Sequence, residues 1–360
     1  MASAYRKLIV QSVVEESDSA KSFTLVPADG GKTESYLPGQ HLPLRLQIPG
    51  QAKPVIRCYT LSDCFDDRHY RLTIKQEPSP IDRPDLPAGL SSSHFHRVLR
   101  AGDCIEARSP SGNFYLDLRQ SHPIALLAGG IGVTPMISMI NAVRQSRSGR
   151  EVHFIFAVRH GGDHVFKKHL AQVAAECENI RMHVLYENPR PQDVAGVDYH
   201  RAGRIDLAVL REMLPTLDME YYVCGPTGMM NAISTALAAE GIASSRIRTE
   251  SFGPSSLALR AATAAEVENS DVQGSPEPVV TFARSGKTVS WTRDATTLLE
   301  FAEAHGIDIS SGCRYGDCGT CMTRLIRGTV KYLHPTGAQP DPGTCLPCSC
   351  RPETDVELEA

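Results

Sequence analysis

The sequence lacks a large excess of charge of either sign. Its 360 residues carry 37 lysines and arginines against 41 aspartates and glutamates, a formal net charge of −4. A balance so close to neutrality creates no strong field for nucleic acid or for an anionic membrane surface. We therefore predict that neither is a partner, and we expect the chain to act as a monomer.

Long hydrophobic runs are also scarce. The N-terminal segment MASAYRKLIVQSVVEESDSAKSF has charges where a signal peptide needs an apolar core, which argues against secretion. The longest uncharged run, residues 123–140, holds three glycines and Pro135, which is typical of a strand, a turn and a buried helix start rather than a membrane span. The expected location is the cytoplasm, where structural disulfides are disfavoured.

Changes of pattern divide the chain, which is too long for one ordinary core. Residues from about 5 to 118 alternate apolar and polar positions between glycines and prolines, which predicts an antiparallel sandwich or barrel. Beyond residue 123, apolar strands alternate with helical patterns, which predicts a parallel sheet flanked by helices. A small, acidic segment at 261–278 is typical of a linker, and a small α+β domain follows it. The predicted domains are 1–118, 119–256 and 278–360, with a linker at 257–277.

Six of the 11 cysteines lie at or beyond Cys313. Cys313, Cys318 and Cys321 follow the spacing C-x4-C-x2-C, and glycines flank them. Structural zinc sites typically use two separated cysteine pairs, whereas plant-type [2Fe–2S] sites use this spacing with a distant fourth cysteine. Glycines let the backbone wrap a cluster and direct N–H groups to its sulfurs. We predict that the three cysteines bind a [2Fe–2S] cluster, with zinc as the alternative. The fourth ligand must come from Cys345, Cys348 or Cys350.

The C-terminal tail TCLPCSCRPETDVELE resembles that of plant-type ferredoxins, and the resemblance covers residues 278–360. In those proteins a ligand cysteine stands four residues before a proline, and an acidic strand follows. The resemblance implies that Cys348 is the fourth ligand, with Pro352 and Asp355 after it. Cys345 and Cys350 are then spare thiols.

Two glycine-bearing turns follow apolar strands in the middle of the chain, in GGIGVTP and in YVCGPTGMM. Glycines in such turns allow a diphosphate to approach the N-terminus of the next helix. Because parallel strands end at the same edge of a sheet, the two turns are expected to form one crevice for a nucleotide.

The motifs RCYTLS, GGIGVTP and YVCGPTGMM, in this order, resemble the ferredoxin–NADP reductase superfamily of flavoprotein reductases over residues 5–254. With the ferredoxin-like tail, the chain is similar to oxygenase reductase components of the phthalate dioxygenase reductase or ketosteroid hydroxylase reductase kind. We expect no globin domain, in contrast to the flavohaemoglobins, whose motifs are similar. The resemblance implies an antiparallel β-barrel flavin domain, an α/β parallel-sheet nucleotide domain and an α+β ferredoxin domain of the β-grasp type.

The resemblance also implies roles for individual residues. Arg57 would neutralise a flavin phosphate, Tyr59 would stack on the isoalloxazine, and the Thr60 hydroxyl would lie near flavin N5. Further flavin contacts are implied at Gly89, Leu90, Ser92 and Phe252. The implied nicotinamide nucleotide site consists of Gly130, Gly132, Thr134, Cys224, Gly225, Pro226 and Met229. Thr60 and Cys224 are the implied catalytic residues, the thiol lying beside the nicotinamide C4.

The implied cofactors are FAD, with FMN as the alternative, and NADH, with NADPH as the alternative. The segment AVRHGGDHVFKKHL gives a mixed signal for the 2′-phosphate of NADPH, because Asp163 stands near Arg159 and two lysines, Lys167 and Lys168.

In the implied reaction, a hydride passes from the nicotinamide to the flavin, and single electrons pass through the cluster to a separate acceptor protein. The expected acceptor is an oxygenase. The alternatives are another acceptor, such as a cytochrome P450 or a hybrid-cluster protein, and a non-catalytic redox-sensing module. The expected docking residues lie in the cluster loop, at Arg314, Tyr315 and Asp317.

Overall fold

The computed structural model describes the chain in several stretches, namely residues 5–52, 54–79, 85, 87–250, 252, 277–292, 295–312, 314, 316, 319–334, 336 and 338–360. Most of the predicted linker, residues 257–276, lies outside the described residues. None of the helices in these stretches has the length and apolarity needed to cross a bilayer.

The first domain is an antiparallel sheet with one short helix. Its elements are β1 (Arg6–Glu15), β2 (Ala20–Pro27), β3 (His41–Leu46), β4 (Val55–Thr60), β5 (Tyr70–Lys75), α1 (Leu90–Arg97) and β6 (Cys104–Ala107). The strand order is β4-β3-β6-β1-β2-β5, and an isolated bridge between Leu61 and Leu72 links its two edges. Alternate side chains of these strands form one apolar core around Phe23 and Phe95, as the period-2 pattern predicts.

The second domain is a parallel six-stranded sheet with helices. Its elements are β7 (Ile124–Gly129), α2 (Val133–Ser146), β8 (Val152–Val158), α3 (Lys167–Glu176), β9 (Ile180–Tyr186), β10 (Arg201–Ala202), α4 (Leu207–Met213), β11 (Glu220–Cys224), α5 (Thr227–Ala239) and β12 (Ile247–Glu250). The order β10-β9-β8-β7-β11-β12 reverses direction at β7. In such sheets the crevice at the point of reversal, here between β7 and β11, is the usual ligand site. Two apolar clusters cover the opposite faces of the sheet.

The third domain is a small mixed sheet with one helix. Its elements are β13 (Val279–Phe282), β14 (Lys287–Ser290), α6 (Leu298–Ala304), β15 (Thr323–Arg327), β16 (Val330–Tyr332), β17 (Thr344–Cys345), β18 (Cys350–Pro352) and β19 (Val356–Leu358). Five strands follow the order β14-β13-β19-β15-β17, with β13 and β19 parallel, and β16 pairs with β18. Phe301 of α6 packs against Trp291 with ring centroids 4.9 Å apart.

The first two domains are joined through the loop that follows β4. Ser138 and Asn141 of α2 donate hydrogen bonds to the Asp63 backbone carbonyl (2.5 Å) and carboxylate (2.7 Å). Arg71 approaches the same carboxylate (3.4 Å), and its guanidinium carbon lies 5.0 Å from the centre of the Phe166 ring. The helix that begins at the glycine turn of the second domain is therefore fixed against the first domain.

Candidate functional site

The two glycine turns of the second domain touch each other. A Cβ atom on Gly132 would lie 2.2 Å from the Cys224 carbonyl oxygen, and one on Gly225 would lie 2.9 Å from the Gly129 backbone. Gly130 adopts a φ of +54°, which favours glycine. The sequence motifs thus meet at the ends of β7 and β11, and only residues without a side chain fit this close approach.

A cavity of about 560 Å³ opens beside these turns. Of the predicted nucleotide residues, Gly130, Pro226 and Met229 line it, whereas Gly132, Thr134, Cys224 and Gly225 do not. Thr134 is buried, and its hydroxyl donates a hydrogen bond to the Ile131 backbone carbonyl (3.1 Å). This side chain therefore stabilises the turn. The first domain contributes Ser19 and Lys75 to the lining, which makes the cavity a two-domain site.

Carboxylates line the far end of this cavity, beyond β8 and β9. Asp163 accepts a hydrogen bond from Arg159 Nε (2.7 Å) and another from Ser19 Oγ (3.3 Å) of the first domain. Burial opposes ionisation of Asp163, but the hydrogen bond and charge of Arg159 outweigh it and hold its pKa below the usual value. Glu187 is likewise paired with Arg204. Both arginines that line the cavity are therefore neutralised by neighbouring acids.

The two lysines of the same segment do not line the cavity. Lys167 pairs with Asp198 at 2.5 Å, and Lys168 is exposed. Of the basic residues that this segment contributes, Arg159 lines the cavity and is paired with an acid, whereas Lys167 and Lys168 lie outside the cavity.

Cys224 is fully buried at the end of β11, where it is the register partner of Glu250 on β12. Burial, and then the charge of Glu250, raise the pKa of the Cys224 thiol well above its usual value. A neutral thiol suits a packing role beside a ligand rather than a nucleophile. Sequence reasoning missed Glu250, although it stands two residues before Phe252.

The proposed flavin residues on β4 differ in exposure along the strand. Arg57 is exposed, Tyr59 is half-buried with its ring 5.2 Å from Phe95 in an edge-on contact, and Thr60 is buried. Burial raises the pKa of Tyr59, so its hydroxyl stays protonated. An exposed cation, a supported aromatic face and a buried hydroxyl in this order fit the phosphate and ring of a flavin.

The second flavin stretch begins α1. Gly89 precedes the helix, and Ser92 donates to its carbonyl (3.1 Å) and accepts from the Glu77 backbone (3.1 Å). The Ser92 hydroxyl is therefore already engaged in the turn. Leu90 and Phe252 are exposed at 40% and 38%, which leaves both side chains accessible to a flat ligand.

The cysteine-rich part of the third domain brings two of the predicted ligands together. Cys321 Sγ and Cys348 Sγ lie 3.1 Å apart, and the Gly316 backbone N–H donates to Cys348 Sγ at 3.1 Å. Gly316 has a φ of +79°. A buried thiol pair with an N–H directed at sulfur fits a [2Fe–2S] cluster. Cys313 and Cys318 lie outside the described residues, and within the described ones no group of three potential ligands assembles.

The two spare thiols lie in the apolar core of the same domain. Cys345 and Cys350 are fully buried, and Cys350 Sγ donates to the Leu346 carbonyl at 3.2 Å. The neighbouring Cys345 thiol, together with burial, raises the pKa of Cys350. Of the three C-terminal thiols, the one that meets Cys321 is that of Cys348.

The predicted docking residues of the cluster loop are only partly described. Arg314 has a φ of +57° and is bound to Glu303 of α6 (2.8 Å for Nη1), so this pair holds the loop against the helix. Tyr315 and Asp317 lie outside the described residues.

Comparison with known families gives three matches in the same order as the three domains. Residues 7–115 match the oxidoreductase FAD-binding domain, residues 126–235 the oxidoreductase NAD-binding domain, and residues 280–353 the 2Fe-2S iron-sulfur cluster binding domain. The chain belongs to the ferredoxin–NADP reductase superfamily. Within that superfamily it is a member with a C-terminal [2Fe–2S] domain, and the predicted antiparallel, parallel-sheet and C-terminal ferredoxin-like organisation is confirmed.

Relatives in this superfamily match either two domains or all three. The flavohemoprotein of Bordetella pertussis is 38% identical over 71% of this chain and 62% of its own length, and that of Bacillus cereus is 34% identical over 69% and 61%. The chain thus spans about three fifths of the length of the curated relatives it matches. The flavohem-like FAD/NAD-binding domain of nitric oxide dioxygenase from Vibrio cholerae is 30% identical, covers 69% of this chain and 99% of that domain, and has a TM-score of 0.61.

A likeness in fold extends over all three domains. Phthalate dioxygenase reductase is 21% identical, covers 99% of this chain and 98% of its own, and has a TM-score of 0.58. An intact type IV self-sufficient cytochrome P450 monooxygenase is 23% identical, covers 99% of this chain and 41% of its own, and has a TM-score of 0.66.

Proposed function

We propose that this chain is an NADH-dependent reductase that passes electrons through a flavin and a [2Fe–2S] cluster to a separate acceptor protein, expected to be an oxygenase. The observation that carries the proposal is the two-domain cavity, because Ser19 and Lys75 of the FAD-binding domain line it together with Gly130 and Met229 of the NAD-binding domain. A nucleotide held there would contact both domains. A third domain with cysteines suited to a cluster adds a one-electron carrier.

The proposal includes the finer architecture. The domains extend over 1–118, 119–256 and 278–360, with the linker at 257–277. The bridge between Leu61 and Leu72 supports closure of the first sheet into a barrel. The mixed sheet with α6 packed on it supports a β-grasp ferredoxin fold.

The residues of this chain would bind and orient the cofactors. Arg57 would hold a flavin phosphate, Tyr59 would support the ring, and Thr60 would present its hydroxyl to the reactive edge. Gly89, Leu90, Ser92 and Phe252 would border the same flavin. A bound flavin would supply the chemistry that accepts two electrons as a hydride and releases them one at a time.

The nucleotide would lie over the two glycine turns. Gly130, Pro226 and Met229 line the proposed site, while Gly132, Thr134, Cys224 and Gly225 give the turns the shape that lets a diphosphate approach. The buried thiol of Cys224 would exclude water beside the nicotinamide.

We propose NADH as the preferred donor and FAD as the flavin. The pairing of Arg159 with Asp163 and of Arg204 with Glu187 supports NADH, because it commits the two arginines of the cavity to carboxylates rather than to a 2′-phosphate. The matching domain from Vibrio cholerae, described as FAD/NAD-binding, supports FAD.

The proposed cluster ligands are Cys313, Cys318, Cys321 and Cys348. The contact between Cys321 and Cys348, and the N–H bond of Gly316 to the latter, support this set over one that contains Cys345 or Cys350.

A cytochrome P450 is the second candidate acceptor. The support for it is the full-length likeness in fold to an intact type IV self-sufficient cytochrome P450 monooxygenase, of which this chain covers 41%. Reconstitution with a Rieske-type oxygenase and with a P450 would separate the two, since a matched acceptor turns over and a mismatched one does not. Nucleic acid and membrane remain unexpected partners, and we propose a cytoplasmic monomer.

The test of the proposed function is reduction by NADH under anaerobic conditions. We expect NADH to bleach the flavin absorbance, to produce a rhombic EPR signal of the reduced cluster, and to support reduction of cytochrome c and ferricyanide. Flavin that stays oxidised with excess NADH would contradict the proposal and favour the redox-sensing module.

A further inference from the structure

The turn between β1 and β2 of the first domain reaches the second domain. Its Asp18 backbone N–H donates a hydrogen bond to the Gly162 carbonyl (2.9 Å). The turn is also fixed to its own sheet, because the backbone N–H of Gln76, directly after β5, donates to the Ser19 carbonyl (2.8 Å). The first domain therefore supports the turn that follows β8, residues 160–163. We call this segment the coenzyme turn, because its last residue lines the proposed nucleotide cavity.

Arg190, in the loop after β9, connects the two sides of this contact. Its Nη1 donates to Asp18 Oδ2 at 3.1 Å, and its Nη2 lies 3.1 Å from His160 Nε2. Because a guanidinium only donates, His160 accepts this second bond. One planar side chain thus joins the first domain to the residue that begins the coenzyme turn. We call Asp18 and Arg190 the interdomain bridge.

The coenzyme turn is enclosed by close contacts on both sides. A Cβ atom on Gly162 would lie 2.2 Å from Asp18 Oδ2 and 2.6 Å from Arg190 Nη1, so only glycine fits beneath the bridge. On the other side, Asp193 Oδ2 accepts the Gly161 N–H (3.1 Å) and the Arg190 N–H (2.7 Å). The side chains that hold the turn lie outside the cavity lining, and the turn itself reaches that lining.

We propose that Asp18 and Arg190 are positioning residues for the coenzyme, because their bridge holds the coenzyme turn where Asp163 meets the adenosine ribose. The inference rests on the proposed function. In sheets of this type an acid beyond the second strand binds that ribose, and Asp163 stands there, after β8. A residue of the FAD-binding domain thereby sets the affinity for the nucleotide without touching it.

The bridge acts on one half of the coenzyme only. The glycine turns that suit a diphosphate lie at the ends of β7 and β11, and the coenzyme turn lies beyond them, after β8. A shift of the coenzyme turn therefore changes contacts to the adenosine half and leaves the reacting nicotinamide in place. Contacts of this kind stabilise the ground state and the transition state equally, so their loss raises KM and leaves kcat unchanged.

The exposure of the bridge makes it suitable for mutation. The side chains of Arg190 and Asp18 are 38% and 62% exposed, and ion pairs so accessible to solvent contribute little to global stability. A matched control lies within the second domain, where Arg201 of β10 pairs with Glu212 of α4 at 40% and 61% exposure. Neither control residue lines the cavity.

The first experiment compares R190Q and D18N with R201Q and E212Q, using NADH as donor and ferricyanide as acceptor. We expect R190Q to raise KM for NADH about fivefold with kcat unchanged, and D18N to change KM in the same direction. The double variant D18N/R190Q should match R190Q rather than multiply the two effects, because both substitutions break one bridge. R201Q and E212Q should match the wild type.

A second readout divides the coenzyme into its halves. ADP-ribose carries the adenosine half, and reduced nicotinamide mononucleotide carries the half that reacts. Calorimetric titration of the oxidised holoenzyme should give a Kd for ADP-ribose that is about fivefold higher in R190Q. The kcat/KM with reduced nicotinamide mononucleotide should be unchanged. Wild-type affinity for ADP-ribose in R190Q, or equal losses with both halves, would overturn the proposal.

The outcomes separate this proposal from the function on which it rests. Wild-type protein that NADH does not reduce would refute the reductase function itself. Normal wild-type turnover with unchanged R190Q and D18N refutes only the bridge. An altered R190Q beside an unchanged D18N would confine the effect to the second domain and also overturn the bridge. If R190Q does not retain flavin, D18N decides, since it keeps the backbone bond to Gly162 and an unchanged Kd in it contradicts the proposal.

Discussion

The position of one sulfur distinguishes the three C-terminal cysteines. Because Cys348 Sγ lies against Cys321 Sγ and accepts the Gly316 N–H, we expect Cys348→Ser to lose the cluster. Cys345→Ser and Cys350→Ser should retain it, since the Cys350 thiol is engaged by Cys345 and by the Leu346 carbonyl rather than by Cys321. Iron content and the EPR signal of the reduced protein measure the outcome. Loss of iron in Cys350→Ser with retention in Cys348→Ser would reverse the assignment.

A second residue, His164, links stability to pH. Its Nδ1 lies 2.8 Å from the Tyr186 hydroxyl, and burial lowers its pKa to about 4 from the model-peptide value of 6.5. The unfolded chain therefore binds the proton first as pH falls. The contribution of neutral His164 to the free energy of unfolding is fully present above about pH 6.5. It decreases as the pH falls to about 4, by about 3 kcal/mol at most.

We expect H164F to lose less stability than the wild type between pH 7 and pH 4.5, because phenylalanine stays neutral among the same aromatic rings. Calorimetric unfolding at the two pH values measures this difference. The exposed His122 provides the control, and H122Q should keep the wild-type pH dependence. Equal pH dependence in H164F and the wild type would contradict the prediction.

For individual residues, the sequence predicts sites whose members stand close together along the chain. It does not predict sites that form only when distant segments come into contact. The spacing of Cys313, Cys318 and Cys321 identifies a cluster loop because all three stand in one short stretch. The contact between Asp18 and Arg190 is set by the docking of two domains, and neither residue carries a signal of its own in the sequence.

The turns between strands and helices give a prediction at the scale of elements. A methyl group on Gly132 would collide with the Cys224 carbonyl at 2.2 Å, whereas one on Gly228 meets nothing within 4 Å. We expect Gly132→Ala to lower stability by about 1–3 kcal/mol and to weaken NADH binding. Gly228→Ala, in helix α5, should leave thermal stability unchanged or raise it. Gly228 lines the cavity, so this variant is the control for unfolding and not for NADH binding. Thermal unfolding of both variants and NADH titration of Gly132→Ala are the measurements, and equal melting temperatures would contradict the account.

The loop after β8 gives a prediction on coenzyme choice. Removing the charge of Asp163 would free Arg159 for a 2′-phosphate, so we expect Asp163→Asn to raise kcat/KM for NADPH relative to NADH by about tenfold, or about 1.4 kcal/mol. Asp198→Asn removes an acid that pairs with Lys167 outside the cavity and should leave the ratio unchanged. A wild-type enzyme that already prefers NADPH tenfold would refute the proposed donor.

Elements with a strong period were predicted closely. The residues TPMISMINAVRQSRS at 134–148 predict a helix, and α2 extends over Val133–Ser146, with every residue from Val133 to Val143 buried against the domain core. The short strands β10, β17 and β18 have two or three residues each, too few for a periodic signal, and their pairing depends on neighbouring segments.

At the scale of the whole molecule, the single tryptophan reports on one domain. Trp291 is buried against Phe301 in the core of the third domain. We expect the cluster to stabilise that core, so removal of iron under mild acid should shift the tryptophan emission to the red. NADH–ferricyanide activity should survive, because its residues lie in the other two domains. An unchanged emission spectrum after complete iron loss would show that the domain folds without the cluster.

The attachment of α2 to Asp63 has a consequence for how such proteins can be recombined. Helix α2 begins at the glycine turn of the second domain and contacts Asp63 of the first domain. A chimaera joined near residue 118 would therefore separate Ser138 and Asn141 from the loop that they bind. One joined beyond residue 252 would keep every such bond. The first two domains are thus tied together as one structural unit, and the flavohemoproteins match about 70% of this chain. We expect that the third domain can be exchanged by design without disturbing the proposed nucleotide site.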